Sequence, residues 1–419
     1  MKNKLVIDPN IKSWINYPSN THFPIQNLPF GIFSNHDNTR RVCTIIGDTV
    51  IDIHELYRCV ALQNIKTKKF IKDLLLNDYC NDLFSEGKEL IRALRSQIVE
   101  LFEEKNKKHY ERLISTALNN IKDVNLHIPI KIPNYTDFYS SREHATNVGI
   151  MFRDPANALF PNWLHIPIGY HGRASSIIIS GTDIKRPAGQ IVLKENEAPI
   201  YSKSKQLDFE LEMAFVVSKE NKLGEPISCD QAEDFIQGLS LFNDWSARDI
   251  QRWEYVPLGP FLGKNFASTI SPWIVDLDAL EPFRVEGPIQ DPKPLEYLSQ
   301  TGKNNFDIKL EVYINDSLVS ESNTKYLYWS IRQQLAHHTV NGCNMQIGDL
   351  CASGTISGPS ASSFGSMLEL AWKGTKPITL NDGTQRVFLQ DGDTIRMTAF
   401  AENSNYRIGF GEATATILP

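Results

Sequence analysis

The chain has 419 residues, a hydrophobic share of 41%, a charged share of 22% and a formal net charge of −6. That length leaves room for two domains and a large core, and the acidic balance offers no basic surplus to neutralise nucleic-acid phosphates. Six scattered cysteines without a C-x-x-C argue against a disulfide framework or a structural zinc site, and with no apolar run long enough for a signal peptide or membrane span the expectation is a soluble, cytoplasmic protein.

Residues up to about Ile25 look irregular. A strand pattern begins at Phe30, and Cys43 to Asp52 reads as a hairpin turning at Gly47-Asp48. From about Ile65 to Ile121, Lys, Glu and Leu dominate. Apolar residues recur there at helical spacing, among them Phe70, Leu74 and Leu75, then Leu90, Ile91 and Leu94. Lys105 to Lys108 reads as a solvated helical face. Pro129 and Pro133 bracket the change to a second segment, which divides the chain at 127/128: a β domain with added helices, then strands, turns and glycines to the end. Arg386-Val-Phe-Leu, Thr394 to Phe400 and Tyr406 to Phe410 are expected strands, with a turn at Asp391-Gly392-Asp393.

Two stretches carry chemistry. In Leu207-Asp-Phe-Glu-Leu-Glu212, alternation puts Asp208, Glu210 and Glu212 on one face, and the run continues into apolar Met213 to Val217. Carboxylates entering a core repel one another unless a cation neutralises them, and an oxygen-only ligand set selects Ca²⁺, Mg²⁺ or Mn²⁺. A solvent-facing acidic edge is the competing reading. The second stretch, Asn243 to Lys264, spaces Asp244, Arg248 and Gln251 at i, i+4 and i+7, so a helix would present them on one face. An exposed Asp244–Arg248 ion pair is the plain alternative, but Trp245 and Trp253 point to shielding. Pro257, Gly259, Pro260 and Gly263 follow in a loop. Asp244 and Asp137 are candidate third and fourth ligands, Arg248 and Lys264 would offset the charge, and His144, close after Asp137, is the candidate base. His171, His337 and His338 read as structural.

Several motifs carry a resemblance. Tyr135-Thr-Asp-Phe-Tyr-Ser-Ser, His144 to Arg153, Pro161-Asn-Trp-Leu-His and Gly169-Tyr-His-Gly-Arg-Ala-Ser-Ser all resemble the fumarylacetoacetate hydrolase family. So do Leu207 to Glu212, Asn243 to Lys264, Ala352 to Gly358, Ser363 to Thr375 and, near the N-terminus, Phe23 to Phe33. The resemblance implies a mainly β fold with some α: a small SH3-like barrel, then a larger mixed β-roll catalytic domain, in a homodimer. It implies hydrolysis of 4-fumarylacetoacetate to fumarate and acetoacetate, the last step of tyrosine breakdown, with a divalent cation (Ca²⁺, Mg²⁺ or both).

By matching position, Asp137, Glu210, Glu212 and Asp244 become metal ligands. Lys264 and Ser268 are associated with a second, Mg²⁺-type contact, although threonine is usual at the position of Ser268. His144 becomes the base and Glu369 the carboxylate that orients it. Tyr139, Arg153, Tyr170, Gln251, Tyr255 and Thr355 become substrate contacts, and Arg248, Gln251 and Lys264 donors to an oxyanion. A hydratase or decarboxylase of 2-oxo acids from the same superfamily is the nearest alternative, and a silent metal-binding scaffold the more distant one. No G-x-S-x-G elbow supports an acyl-serine route.

Overall fold

The computed structural model describes residues 4–60, 71–194 and 196–419. Its organising layer is an eight-stranded sheet. Strands run across it in the order Gly169–Gly172, Tyr135–Phe138, Leu350–Ala352, Leu211–Val217, Ile236–Asp244, Ser268–Ile270 and Ile177–Ile179, with Val275–Asp276 paired to the far end of Ile236–Asp244. Both faces of this sheet are covered, which is why Met213 to Val217 can be apolar without interruption. Met213, Phe215, Val217, Leu239 and Leu241 pack toward a five-stranded C-terminal sheet through Leu310, Val312, Met397 and Ala413. Ala214, Val216, Tyr135, Phe242 and Ile270 face the other way, in one core with Leu90, Ile91, Leu94 and Ile98 of the helix Lys88–Phe102.

The N-terminal part is a curled antiparallel sheet ordered Leu118–Asn120, Thr49–Asp52, Arg41–Ile46, Gly31–Ser34, Asn125–His127. Its hairpin pairs Ile46 with Thr49 across Gly47-Asp48, as the alternation predicts, and Gly47 sits at φ +57°, a conformation that favours glycine. Helices occupy Ile53–Val60, Ile71–Leu75, Asn81–Ser85, Lys88–Phe102 and Lys107–Tyr110. A separate helix, Ile53–Val60, precedes the expected stretch, and the α-helices end at Tyr110, sooner than its composition suggests. Leu118–Asn120 is a strand, held by pairing with Thr49 to Ile51, a tertiary contact that local spacing does not report. The beginning of that stretch, including Phe70, lies outside the described residues. Lys105 is exposed, as expected of a solvated face.

At the C-terminus, Thr394–Glu402 and Arg407–Leu418 form the expected strands, whereas the third is confined to Gln385–Arg386. Phe388 and Leu389 are buried as irregular chain instead, Leu389 donating its N–H to the Leu207 carbonyl. Among the described residues, no helix is long and apolar enough to cross a membrane.

Candidate active site

The acidic strand does not run as one piece. Leu207–Asp208 pairs with Ser246–Ala247, and Leu211–Val217 belongs to the large sheet. Glu210, between them, makes only an isolated bridge to Ser366. Alternation alone would leave Phe209 and Leu211 facing away from an acidic, wetter side, yet Asp208, Glu210 and Glu212 are themselves at most 5% exposed. The solvent-facing edge is thereby excluded.

Glu212 continues the sheet face of Ala214 and Val216, Asp137 that of Tyr135, and Asp244 that of Phe242, so three neighbouring segments end in carboxylates on the same side. With Glu210 they bring four carboxylate oxygens within 4.8 Å of one another. Asp244 reaches this position from the end of a strand. The helix starts only at Arg248 and runs to Glu254, so the i, i+4, i+7 spacing does not put Asp244, Arg248 and Gln251 on one helix. Arg248 turns instead to Asp208 (Nε to Oδ2, 2.8 Å) and Glu210 (Nη1 to Oε1, 2.7 Å), which replaces the anticipated Asp244–Arg248 pair. Trp245 is fully buried and donates to Thr269 Oγ1, but Trp253 is 47% exposed and donates to Gln190 instead.

Charge is distributed unevenly over the four carboxylates. Lys264 Nζ lies 2.5 Å from Glu210 Oε2 and 2.8 Å from Asp244 Oδ2. Burial pushes Glu210 upward, but Lys264 and Arg248 overcome it and hold the group well below the ordinary carboxylate range. Asp137 and Glu212 have no such partner. Burial, then the neighbouring carboxylates, drives both well above the ordinary range. One oxygen of each, Asp137 Oδ1 and Glu212 Oε1, is buried without a hydrogen bond. Four acids against two cations, with orphaned oxygens facing a common point, fit a hard divalent ion.

Around this cage, Tyr170 and Ser268 each donate to Asp244 at 2.8 Å. Burial and then Asp244 raise the Tyr170 phenol, which stays protonated and able to donate. The Gly354 N–H donates to Glu212 Oε2 at 3.0 Å. Only glycine fits there, because φ is +75° and an added Cβ would lie 2.2 Å from the Phe138 carbonyl oxygen. Thr355, next along, is buried with its hydroxyl unpartnered.

His144 sits in the first turn of the helix Arg142–Phe152, capped by Ser141. Its Nδ1 is 2.7 Å from Glu369 Oε2. Ser366 (2.8 Å) and Ser357 (2.9 Å) donate to the same oxygen, and Asn147 donates to Oε1 at 2.9 Å. Burial alone would raise Glu369, but His144, Asn147 and Ser366 together hold it below its ordinary value. Tyr139 stacks edge-on against His144, ring centroids 5.2 Å apart. The Glu210–Ser366 bridge and the Ser366–Glu369 bond place the imidazole's carboxylate beside the cage.

The remaining sequence candidates stand further out. Gln251 Oε1 is 3.5 Å from Arg248 Nη1. Arg153 donates to the Ala158 carbonyl at 2.5 Å and lies 4.0 Å over the Phe160 ring, while Tyr255 is half-exposed at the end of its helix. His338 bonds Thr136 Oγ1 and His337 bonds the Tyr297 hydroxyl, the structural roles expected of them.

Four supporting residues were not anticipated: Asp208, Asn147, Ser357 and Ser366. Two had a readable signal. Ser366-Met-Leu-Glu369 has the spacing of a capping box, and Asn147 follows His144 by one helical turn.

A curled, double-faced β architecture holding a cation-ready carboxylate cage beside a carboxylate-bound imidazole defines a class of β-rich, metal-assisted hydrolases. Comparison with known sequences agrees. The model of the fumarylacetoacetase N-terminal region matches residues 26–129, and that of the fumarylacetoacetate (FAA) hydrolase C-terminal region matches residues 134–418. Fumarylacetoacetases of Dictyostelium discoideum and Homo sapiens are each 49% identical to the chain, covering 98% and 97% of it and 98% and 99% of their own lengths. The Arabidopsis thaliana fumarylacetoacetase is 48% identical over 98% of this chain and 99% of its own. The chain belongs to the fumarylacetoacetate hydrolase family. A solved fumarylacetoacetate hydrolase from psychrophilic Exiguobacterium antarcticum shares the fold, with a TM-score of 0.53 at 18% identity, over 93% of this chain and 99% of that one.

Proposed function

We propose that the protein hydrolyses the carbon–carbon bond of 4-fumarylacetoacetate, releasing fumarate and acetoacetate at the end of tyrosine breakdown. The observation that carries this reading is the 2.7 Å His144–Glu369 pair, linked through Ser366 to Glu210 of the four converging carboxylates. Full-length similarity to fumarylacetoacetases supports it.

Breaking such a bond with water requires a primed nucleophile and a stabilised carbanion. His144 takes the proton from water through Nε2, since Nδ1 is committed to Glu369. The carboxylate fixes the tautomer and favours the imidazolium that forms. Asp137, Glu210, Glu212 and Asp244 would hold a divalent cation, which when bound supplies Lewis-acid stabilisation to the diketone oxygens. Arg248, Gln251 and Lys264 supply hydrogen bonds to the developing oxyanion, each such donor being worth about 3 kcal/mol. Buried Thr355 keeps an unused hydroxyl for substrate, and Tyr139, Tyr170, Arg153 and Tyr255 complete its surroundings. Lys264 and Ser268 flank Asp244, and their part in a second Mg²⁺ contact, like the choice between Ca²⁺ and Mg²⁺, belongs to the same proposal. So do the division at 127/128, a homodimeric state and a cytoplasmic location, the last in keeping with six free cysteines.

The test is the ultraviolet absorbance of the conjugated diketone, followed with metal analysis of the purified protein. Loss of absorbance with release of fumarate and acetoacetate is expected. Unchanged absorbance, or a hydrated or decarboxylated product, would overturn the assignment.

A further inference from the structure

Asp208 is completely buried, two residues from a cage carboxylate, and takes no part in the cage. Its two oxygens are fully employed elsewhere. Oδ1 accepts from the Met367 N–H at 2.6 Å, and Oδ2 accepts from the Leu368 N–H at 3.0 Å and from Arg248 Nε at 2.8 Å. The first two bonds fasten it to the short helix Met367–Leu370 that carries Glu369. The third fixes one edge of the Arg248 guanidinium.

The consequence lies in what Arg248 has left. Nε is held by Asp208, and Nη1 by Glu210 at 2.7 Å, with Gln251 at 3.5 Å. Nη2 is buried and has no partner. A guanidinium is planar with donors in fixed directions, so clamping Nε and Nη1 determines where the Nη2 donors point. A buried cationic donor left free beside a reaction pocket is a preorganised stabiliser of negative charge, provided nothing lets it turn.

We infer that Asp208 is a positioning residue: it locks Arg248 so that Nη2 faces the substrate, and ties that orientation to the helix bearing Glu369. The oxyanion donor and the water-activating pair are thereby set by one carboxylate. The inference rests on the proposed hydrolysis, and its test separates the two.

The experiment is a double-mutant cycle on the full-length, metal-loaded enzyme, with turnover of 4-fumarylacetoacetate as the readout. Asp208→Asn keeps one acceptor oxygen for a helix N–H and removes the charge that holds Nε. It should lower kcat on the order of 10²-fold, the scale of losing one oxyanion donor, with KM and bound metal unchanged. In an Arg248→Met background the same change should cost almost nothing further, because its effect runs through Arg248. Losses that multiply independently, or a rise in KM alone, would overturn the inference. Asp208→Ser is the second variant, keeping one oxygen for the Met367 N–H and leaving Nε unheld. If neither variant folds, Asp208 is a structural residue and the inference fails.

An activity-independent measurement accompanies the cycle: exchange of the Arg248 Nε proton in an arginine-labelled ¹⁵N spectrum, assigned by its loss in Arg248→Lys. The proton should be protected in the unmutated protein and fast-exchanging in Asp208→Asn. Protection with no turnover would sink the hydrolysis and leave the clamp standing. Turnover with an unprotected proton would sink the clamp and leave the hydrolysis.

Discussion

Two buried charge clusters in this molecule look alike in composition and differ in what they need. In the first, Lys88, Arg92 and Arg95 lie at i, i+4 and i+7 on the helix Lys88–Phe102 and meet Asp276 and Asp278 beside the large sheet. Arg92 grips Asp278 with two nitrogens at 2.6 and 3.1 Å, the Leu5 N–H adds a bond at 2.8 Å, and Gln237 donates to Asp276 at 2.6 Å. Burial would raise Asp278, but the Arg92 and Leu5 donors hold it below its ordinary value, while burial keeps Asp276 above its own despite Arg95. In the second, Lys264 and Arg248 answer only part of the charge, and Asp137 and Glu212 keep orphaned oxygens. In the first cluster every oxygen of Asp276 and Asp278 has a donor, and the atoms left over are the Nε and Nη1 of Arg95 and the Oε1 of Gln237. A cluster whose acids are answered holds the fold together, whereas one whose acids are not is waiting for an ion. The basic face of the helix thus has a structural account, as the strap between the N-terminal part and the sheet.

The largest expected effect separates chemistry from charge within the second cluster. His144→Ala should lower kcat by about 10³- to 10⁴-fold, the range for losing a general base, with metal affinity retained in a calorimetric titration. Near-normal kcat would remove His144 from the mechanism. Glu369→Gln keeps the shape but not the charge that orients the imidazole, and about a 10²-fold fall in kcat at constant KM is expected from steady-state kinetics.

Neutralising one acid in each cluster tests the comparison itself. Asp278→Asn should cost about 2–3 kcal/mol in denaturant unfolding, the scale of hydrogen bonds to a charged group, and leave metal affinity alone. Glu212→Gln should do the reverse: the metal-free protein unfolds no more easily, because glutamine replaces the neutral form that burial favours, while affinity for the cation falls at least about tenfold, that is by some 1.4 kcal/mol. Equal destabilisation by both would erase the distinction.

The smallest effect is a dependence on pH. Asp137 and Glu212 are raised when folded, so the metal-free chain holds protons that the unfolded chain has released. Its stability should therefore decline as pH climbs from the ordinary carboxylate range, about 4, toward those raised values. Cation binding demands the deprotonated forms, so the rise in Tm on adding the ion should grow with pH. A rise that is the same at pH 5 and pH 8, to name two convenient points, would mean that these groups do not carry the ion.

How far all this was legible in the sequence follows from the range of the contacts involved. The 43–52 hairpin and the last two C-terminal strands rest on alternation and turn residues a few positions apart, and they stand almost where the pattern puts them. Leu118–Asn120 became a strand through a partner some seventy positions earlier, which no local spacing announces. In the site, Asp137, Glu210, Glu212, Asp244, His144 and Glu369 were readable from their motifs, and the structure gathers the first four and pairs the last two. The helical register offered for Asp244, Arg248 and Gln251 was an accident of spacing, since the chain leaves a strand at Asp244 and enters a helix at Arg248. Asp208 shared the acidic alternation of Glu210 and Glu212, but the strand breaks after it and turns its carboxylate to the Met367 and Leu368 amides.

The central claim, that four carboxylates grip a divalent ion the reaction cannot do without, is tested most directly by exhaustive chelation verified by elemental analysis, followed by stepwise return of Ca²⁺ or Mg²⁺ during turnover. The account predicts that activity disappears with the metal and returns with the first equivalents added. Undiminished turnover in protein shown to be free of divalent ions would contradict it.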